Sequence, residues 1–409
     1  MQPLNQGRGA ERAPGHLVAA VLALAAAAFF LLCGYEFIRS VSTSLYIGAY
    51  GAHRLPVVMA LAPVGTLGFL YGYGWLLSRT GAQRTLFLTS ILSGLGILGC
   101  YLAIRMGYNL ALGGLYVFRE GYIVLIIEQY WSFINSTLNT GQAKRLNGPV
   151  CGIASMGAIS GGMIVGYAAR GLGSEQLLLF AALSLLPAGA LAWWAYTLGG
   201  EPTRSARERA AHREPLALVL FRQNRTLVYL ALLIVTTQVV STVLDLRFSG
   251  LLEASKPVKD ERTAYLGSFY AVLNGAAFFL QFMAAPLLLR AFSLRTVHLA
   301  IPFVHLATCA ILLLHPTLTT AAGAYLLFKA LDYSVFRAGK EVLYIPLSFD
   351  ARYKAKEVID AFGYRASKGG TSGLLALAGL VFGRLPGALF PSIAILSAGG
   401  WLFLVLRLT

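Results

Sequence analysis

Apolar residues along this chain come in long blocks separated by short polar breaks. Twelve blocks are long enough for a membrane-crossing helix, which needs about 20 mostly apolar residues. They fall at about 16–42, 55–77, 84–104, 109–137, 147–169, 176–198, 226–249, 265–289, 295–314, 319–347, 357–382 and 386–407. They predict twelve transmembrane helices, segments one to twelve in chain order. Segments four and ten are the least regular, because each carries charge within its apolar run. The longest break, GGEPTRSARERAAHREPLALVLFRQNR at 199–225, divides six segments from six. The N-terminal MQPLNQGRGAERAPGH lacks a short apolar core followed by a small-residue cleavage site, so segment one is expected to be retained.

Composition agrees with the pattern. Hydrophobic residues make up 57% of the 409 and charged residues 12%, about half the charged share of an ordinary soluble domain. Lys and Arg gather where short cytoplasmic loops are expected: Arg79 and Arg84, Lys144 and Arg145, RSARERAAHRE (204–214), Arg290 and Arg295, and ARYKAK (351–356). Both termini are then expected inside. One outer loop breaks the rule, KPVKDER at 256–262, where Asp260 and Glu261 balance part of the basic charge. The net charge of +16 therefore reads as topology and contact with anionic lipid, not as nucleic-acid binding. Cys33, Cys100, Cys151 and Cys309 all fall inside apolar segments and match no metal or disulfide spacing.

The two sets of six segments echo one another. VSTSL (41–45) returns as VSTVL (240–244), and VFREG (117–121) as VFRAG (335–339). In segments five and eleven, Ser155, Gly157, Ser160 and Gly161 return at one offset as Ser367, Gly369, Ser372 and Gly373. Such repeats, in order, predict an all-α membrane protein with twelve transmembrane helices in two pseudo-symmetric six-helix bundles, the major facilitator architecture, with substrate between the halves at the midplane. The expected units are an N-terminal bundle (1–198), a cytoplasmic linker (199–225) and a C-terminal bundle (226–409). GWLLSRTGAQR (74–84) resembles the major facilitator loop pattern through Gly74, Arg79, Gly81 and Arg84, with Ser78 where an aspartate is usual.

Charges inside apolar segments are costly, at least about 2.5–3.5 kcal/mol each on insertion scales, so they should pair or face a wet cavity. Glu36 and Arg39 are three apart in segment one, on one helix face. Asp245 and Arg247, two apart in segment seven, point in different directions. Segment four carries Arg119 and Glu120; segment ten carries Lys329, Asp332, Arg337, Lys340 and Glu341. Two readings compete. In one, Arg39, Arg119, Arg337 and Lys340 form a basic pocket for an anion, Arg giving forked bonds and Lys a point charge. In the other, the charges are ion pairs that lock or gate the bundles, the role expected of Glu36, Glu120, Arg247, Lys329, Asp332, Asp360, Arg365 and Lys368. Because Arg119 and Arg337 hold equivalent places in the echo, they are expected to approach across the pseudo-two-fold axis. His298 and His305, seven apart in segment nine, read either as polar packing or as a proton relay.

FRAGKEVLYIPLS (336–348) resembles the signature of the nucleotide transporter family, the ATP/ADP translocases of plastids and intracellular bacteria, which runs like FDPTKEMAYIPLD. A further family pattern like GKAAIDVVxxRxGKSGG is matched by Lys356, Ile359, Asp360, Arg365, Lys368 and Gly370. YWSFINSTLNTGQAKRLNGPVCG (130–152) is similar to the family's FWxFANEIT…EAKRFYPLFG, which brings in Asn135. The resemblance implies a substrate site including Arg39, Arg119, Asn135, Asp245, Arg337, Lys340 and Glu341. This chain departs from the family in segment one, where IRSVST (38–43) has Ser42 at the position of a lysine tied to nucleotide transport, and in segment four, where Arg119 falls on an acid.

Neither a metal-spaced histidine cluster nor a nucleophile with its base appears, and no phosphate-binding loop for ATP hydrolysis. The expectation is a secondary transporter, not an enzyme, with no cofactor and no metal. It would move a small anionic metabolite, a nucleotide among the candidates, by alternating access. The alternative is a permease for another solute such as a siderophore. The expected setting is a bacterial inner membrane, as a monomer, with a coupling ion or counter-substrate as the remaining partner.

Overall fold

The structure is a computed structural model that describes residues 14–138, 140–200, 221–222, 224–345, 347 and 358–408. The linker at 199–225 lies largely, and Pro346 wholly, outside the described residues. The described chain is almost entirely helical. Its elements are α1 (Pro14–Tyr50), α2 (Leu55–Arg105), α3 (Leu110–Thr137), α4 (Thr140–Leu172), α5 (Leu177–Gly199), α6 (Arg225–Ser255) and α7 (Lys259–Phe279), which continues through a π turn (Leu280–Ala284) into α8 (Ala285–Ala291). Then come α9 (Leu294–Leu314), α10 (Leu318–Leu331), a second π turn (Asp332–Phe336), α11 (Arg337–Leu343), a third (Val358–Gly363), α12 (Tyr364–Phe382) and α13 (Leu389–Leu408).

Among the described residues, nine helices are long and apolar enough to cross a membrane, against twelve expected. The difference has physical causes. Helix α2 covers two expected segments and breaks at Gly81, whose φ of 79° places it in the left-handed region that only glycine adopts freely. Segments ten and eleven are too polar to count by composition, with Lys329, Asp332, Arg337, Lys340 and Glu341 in one and Arg365 and Lys368 among serines and glycines in the other, and each also contains a π turn.

Buried apolar residues form two cores, one drawn mostly from α1–α5 and the other mostly from α6–α13. Between these groups, α4 packs on α7 and α12 packs on α2. Segments five and eleven, which share the serine and glycine echo, thus make corresponding contacts in opposite directions. Small residues explain how closely α4 can approach. A methyl group added at Gly161 would lie 2.4 Å from the Cys33 carbonyl oxygen on α1, and one at Gly162 would lie 2.8 Å from the Gly267 carbonyl oxygen on α7. Without much gain from burying apolar surface against lipid, such backbone approach is what holds membrane helices together.

Candidate functional site

Charged residues from both groups converge on a cavity of about 140 Å³ walled by α1, α2, α3, α6, α7, α10 and α12. Four cations, Arg39, Arg119, Lys329 and Lys368, face it with two carboxylates, Glu120 and Asp245. Between the charges stand tyrosines, Tyr35, Tyr116, Tyr270, Tyr325 and Tyr333.

Arg119 is the most firmly held cation. From α3, its Nη1 donates to the Arg39 carbonyl at 2.7 Å, the Ser42 hydroxyl at 2.7 Å and the Thr43 hydroxyl at 2.6 Å. The guanidinium also lies 3.8 Å from the centre of the Tyr116 ring. Ser42, at the position of the family's lysine, is thus a hydroxyl acceptor for an arginine. Arg39 stacks on Tyr270 at 3.6 Å and meets Glu36 at 3.4 Å, while Glu36 accepts a hydrogen bond from Asn274 of α7 at 2.9 Å. Guanidinium groups suit this role, since they stay charged and stack on rings. Across the interface, Lys368 of α12 donates to Glu120 of α3 at 3.2 Å, and Arg119 lies 3.4 Å from the same carboxylate. Lys329 has the Tyr333 ring centre 5.3 Å from its ammonium.

One end of the bundle is closed above this cavity. Ser174 donates from its backbone N–H at 2.8 Å and from its hydroxyl at 2.5 Å to Asp260. Arg262 donates to the Ser44 carbonyl at 3.0 Å, the Ser44 hydroxyl donates to the Lys259 carbonyl at 2.7 Å, and Glu253 accepts from the Ala52 N–H at 3.0 Å. Lys259 pairs with Glu175. Each bond joins the two helix groups, and Lys259, Asp260 and Arg262 come from KPVKDER, the loop that breaks the basic-inside pattern.

Of the residues expected at a substrate site, Arg39, Arg119 and Asp245 line the cavity, and Asn135, Arg337, Lys340 and Glu341 do not. Arg337, Glu341 and Asn135 are exposed, and Lys340 is buried with its ammonium 5.3 Å from the Tyr364 ring centre. The cavity takes Lys329, Lys368 and Glu120 instead, three of the residues expected to gate. Helix register explains the exchange. Tyr116 and Glu120 lie about two and three turns into α3, and Tyr325 and Lys329 lie at similar depth in α10. VFREG holds Glu120 itself, whereas VFRAG (335–339) lies about two to three turns deeper along its own helix, at and beyond the π turn at Asp332–Phe336, which rotates the helix there. Among the other expected gating residues, Glu36 is buried against Arg39, Asp332 is buried with Oδ1 unpartnered, Arg247 is half-buried beside Gly387, and Arg365 is half-buried on α12. The Asp360 side chain lies outside the described residues. His298 and His305 are buried against aromatic rings, His305 between Phe328 at 4.9 Å and Trp401 at 5.4 Å, and do not line the cavity. The five tyrosines were not anticipated. Their signal is the spacing of Tyr116 with Glu120 and of Tyr325 with Lys329 and Tyr333, each four apart and so on one helix face.

Comparison with known proteins agrees with this architecture. The family described as TLC ATP/ADP transporter matches residues 311–408. ADP,ATP carrier protein 1 of Chlamydia muridarum is 26% identical over 379 residues, covering 81% of this chain and 69% of the carrier. ADP,ATP carrier protein 3 of Rickettsia typhi is 23% identical over 71% of this chain and 67% of its own. Among solved structures, a bacterial homologue of the iron transporter ferroportin in an inward-facing state superposes with a TM-score of 0.70 at 11% identity, covering 96% of this chain and 98% of that one. The nucleoside transporter NupG gives 0.66 at 10% identity over 95% and 98%. At these identities the structural likeness speaks for the fold alone, that of the major facilitators.

Proposed function

We propose that this chain, a membrane transporter on the major facilitator fold and a divergent relative of the ATP/ADP transporters, carries a small anionic metabolite through the cavity between α1–α5 and α6–α13. The observation that carries this reading is the surplus of charge on the cavity wall, four cations facing two carboxylates. In a low-dielectric site such a surplus attracts an anion far more strongly than it would in water. Guanidinium and ammonium groups supply its hydrogen bonds, and the tyrosines supply faces for a planar group.

The two helix groups act as the rocking halves, 1–198 and 226–409, joined by the cytoplasmic linker 199–225. The Ser174–Asp260 end is the outer one by the placement of basic loops, so the state described is closed to the outside. Both termini then lie in the cytoplasm, and the setting is a bacterial inner membrane. At about 140 Å³ the cavity is smaller than the roughly 300–1,000 Å³ of most ligand pockets. As it stands it holds a group the size of a phosphate, and a whole nucleotide requires the halves to part. The names of the relatives make adenine nucleotides the first substrates to test.

The test is uptake into proteoliposomes of radiolabelled ATP and ADP beside a panel of smaller organic anions and neutral solutes, including siderophores. Saturable uptake of an anion, reduced at least tenfold in Lys368→Ala, is expected. Uptake of a neutral solute alone, unchanged by Lys368→Ala, overturns the reading.

A further inference from the structure

A groove of about 570 Å³ runs between α3 and the two legs of α2, which part at Gly81, and it shares no lining residue with the central cavity. Phe69, Leu76, Leu92, Phe118 and Leu125 make its walls apolar. Its bed is bare, because Gly65, Gly68 and Gly72 follow one face of α2. A methyl group added at Gly68 or Gly72 would meet no neighbouring atom within 4 Å. The same spacing leads on to Trp75, which lines the groove, and to Arg79, whose guanidinium lies 4.2 Å from the centre of the Trp75 ring. From Gly65 to Leu76 the helix rises about 16 Å, roughly half the hydrocarbon core of a bilayer. The groove faces outward. Val64, Leu67 and Tyr71 beside it are exposed, and Pro63, on the other side of α2, packs on Gly369 of α12.

The loop at the Trp75 end, GWLLSRTGAQR, holds Arg79 and Arg84 and no carboxylate. Ser78, where an aspartate is usual, donates its hydroxyl to the Trp75 carbonyl at 2.7 Å. Both arginines are exposed, and neither forms an ion pair with a described residue. We propose that the groove binds one anionic phospholipid of the bilayer, with an acyl chain over Gly68 and Gly72 and the phosphate on Arg79. The bare bed, the indole and the guanidinium follow in the order in which a lipid presents its chain, its interfacial region and its headgroup. Tryptophan settles at that interface, basic groups beside membrane helices attract anionic headgroups, and guanidinium meets phosphate with forked bonds. A zwitterionic lipid would bring its own cation to Arg79, so the preference is for a headgroup with net negative charge. A second copy of this chain fits less well, because each copy carries a net charge of +16 and the two would repel. The bound lipid braces α2 on the face turned away from α12. The assignment does not depend on what the central cavity carries.

The experiment uses the full chain, purified in detergent and stripped of lipid. It is titrated with phosphatidylglycerol and, separately, with phosphatidylcholine of the same acyl chains. Native mass spectrometry counts bound lipid, and thermal stability is followed in the same series. Wild type is expected to bind its first phosphatidylglycerol at least fivefold more tightly than its first phosphatidylcholine and to be stabilised by it. Arg79→Gln, a change at an exposed position, should bring the two affinities within twofold, whereas Arg79→Lys should keep the preference. The Gly68→Leu/Gly72→Leu double variant, which fills the bed, should weaken the first phosphatidylglycerol at least tenfold; Gly72→Leu alone replaces it if the double variant does not fold. Equal affinity for the two lipids in wild type, a preference that survives Arg79→Gln, or binding untouched by the filled bed overturns the site. A dimer of the stripped chain that the filled bed abolishes also overturns it, since the groove then belongs to a second copy.

Discussion

The closed end and the central cavity lie between the same two groups of helices and are built on opposite rules. At the closed end, Asp260 takes two hydrogen bonds from Ser174, Glu253 takes the Ala52 N–H, and Arg262 reaches Ser44. In the cavity, cations outnumber carboxylates and Asp245 stands unpaired among the described residues. A latch must be satisfied to hold, because an unmade buried bond costs free energy. A transport site must be left short of partners so that substrate can supply them. The contrast separates, within one interface, the polar groups that close the transporter from those that bind.

Substitutions can break the contrast at either end, and the largest effect is expected in the cavity. Lys368→Ala should weaken anion binding at least tenfold and Glu120→Gln should strengthen it several-fold, because the lysine is freed from its carboxylate. Equilibrium binding of radiolabelled ADP checks both, and a change in the same direction for the two variants would break the contrast. At the latch, Asp260→Ala removes the acceptor of two bonds from Ser174, worth about 1.5–3 kcal/mol for a charged group. That should raise the population open at this end by about 10- to 100-fold, read as faster labelling of Thr43→Cys by an impermeant maleimide. Lys259→Ala should do least, at most about fivefold, because Lys259 is half exposed and such pairs are worth about 0–1 kcal/mol.

The parts legible in the sequence were those set by local composition. Apolar blocks mark the helices, and Arg39, Arg119 and Asp245 stand out because charge inside hydrocarbon demands a wet face or a partner. The illegible parts depended on register and on distant contacts. Lys329 and Lys368 were visible as charges, yet their place on the wall is set by where α10 and α12 begin and by π turns that no periodicity announces. The latch joins Ser44, Ser174, Glu253 and Asp260 across more than 200 residues of chain in places. Only the unusual charge of KPVKDER hinted at it.

The most direct measurement locks the latch and then asks the cavity to bind. In a chain with Cys33, Cys100, Cys151 and Cys309 replaced, Ser174→Cys and Asp260→Cys place two thiols where the native side chains touch. After oxidation, ADP binding to the solubilised protein should persist, because the halves can still part at the opposite end. Transport in proteoliposomes should stop, and reduction should restore it. Continued transport with the disulfide formed would contradict the account.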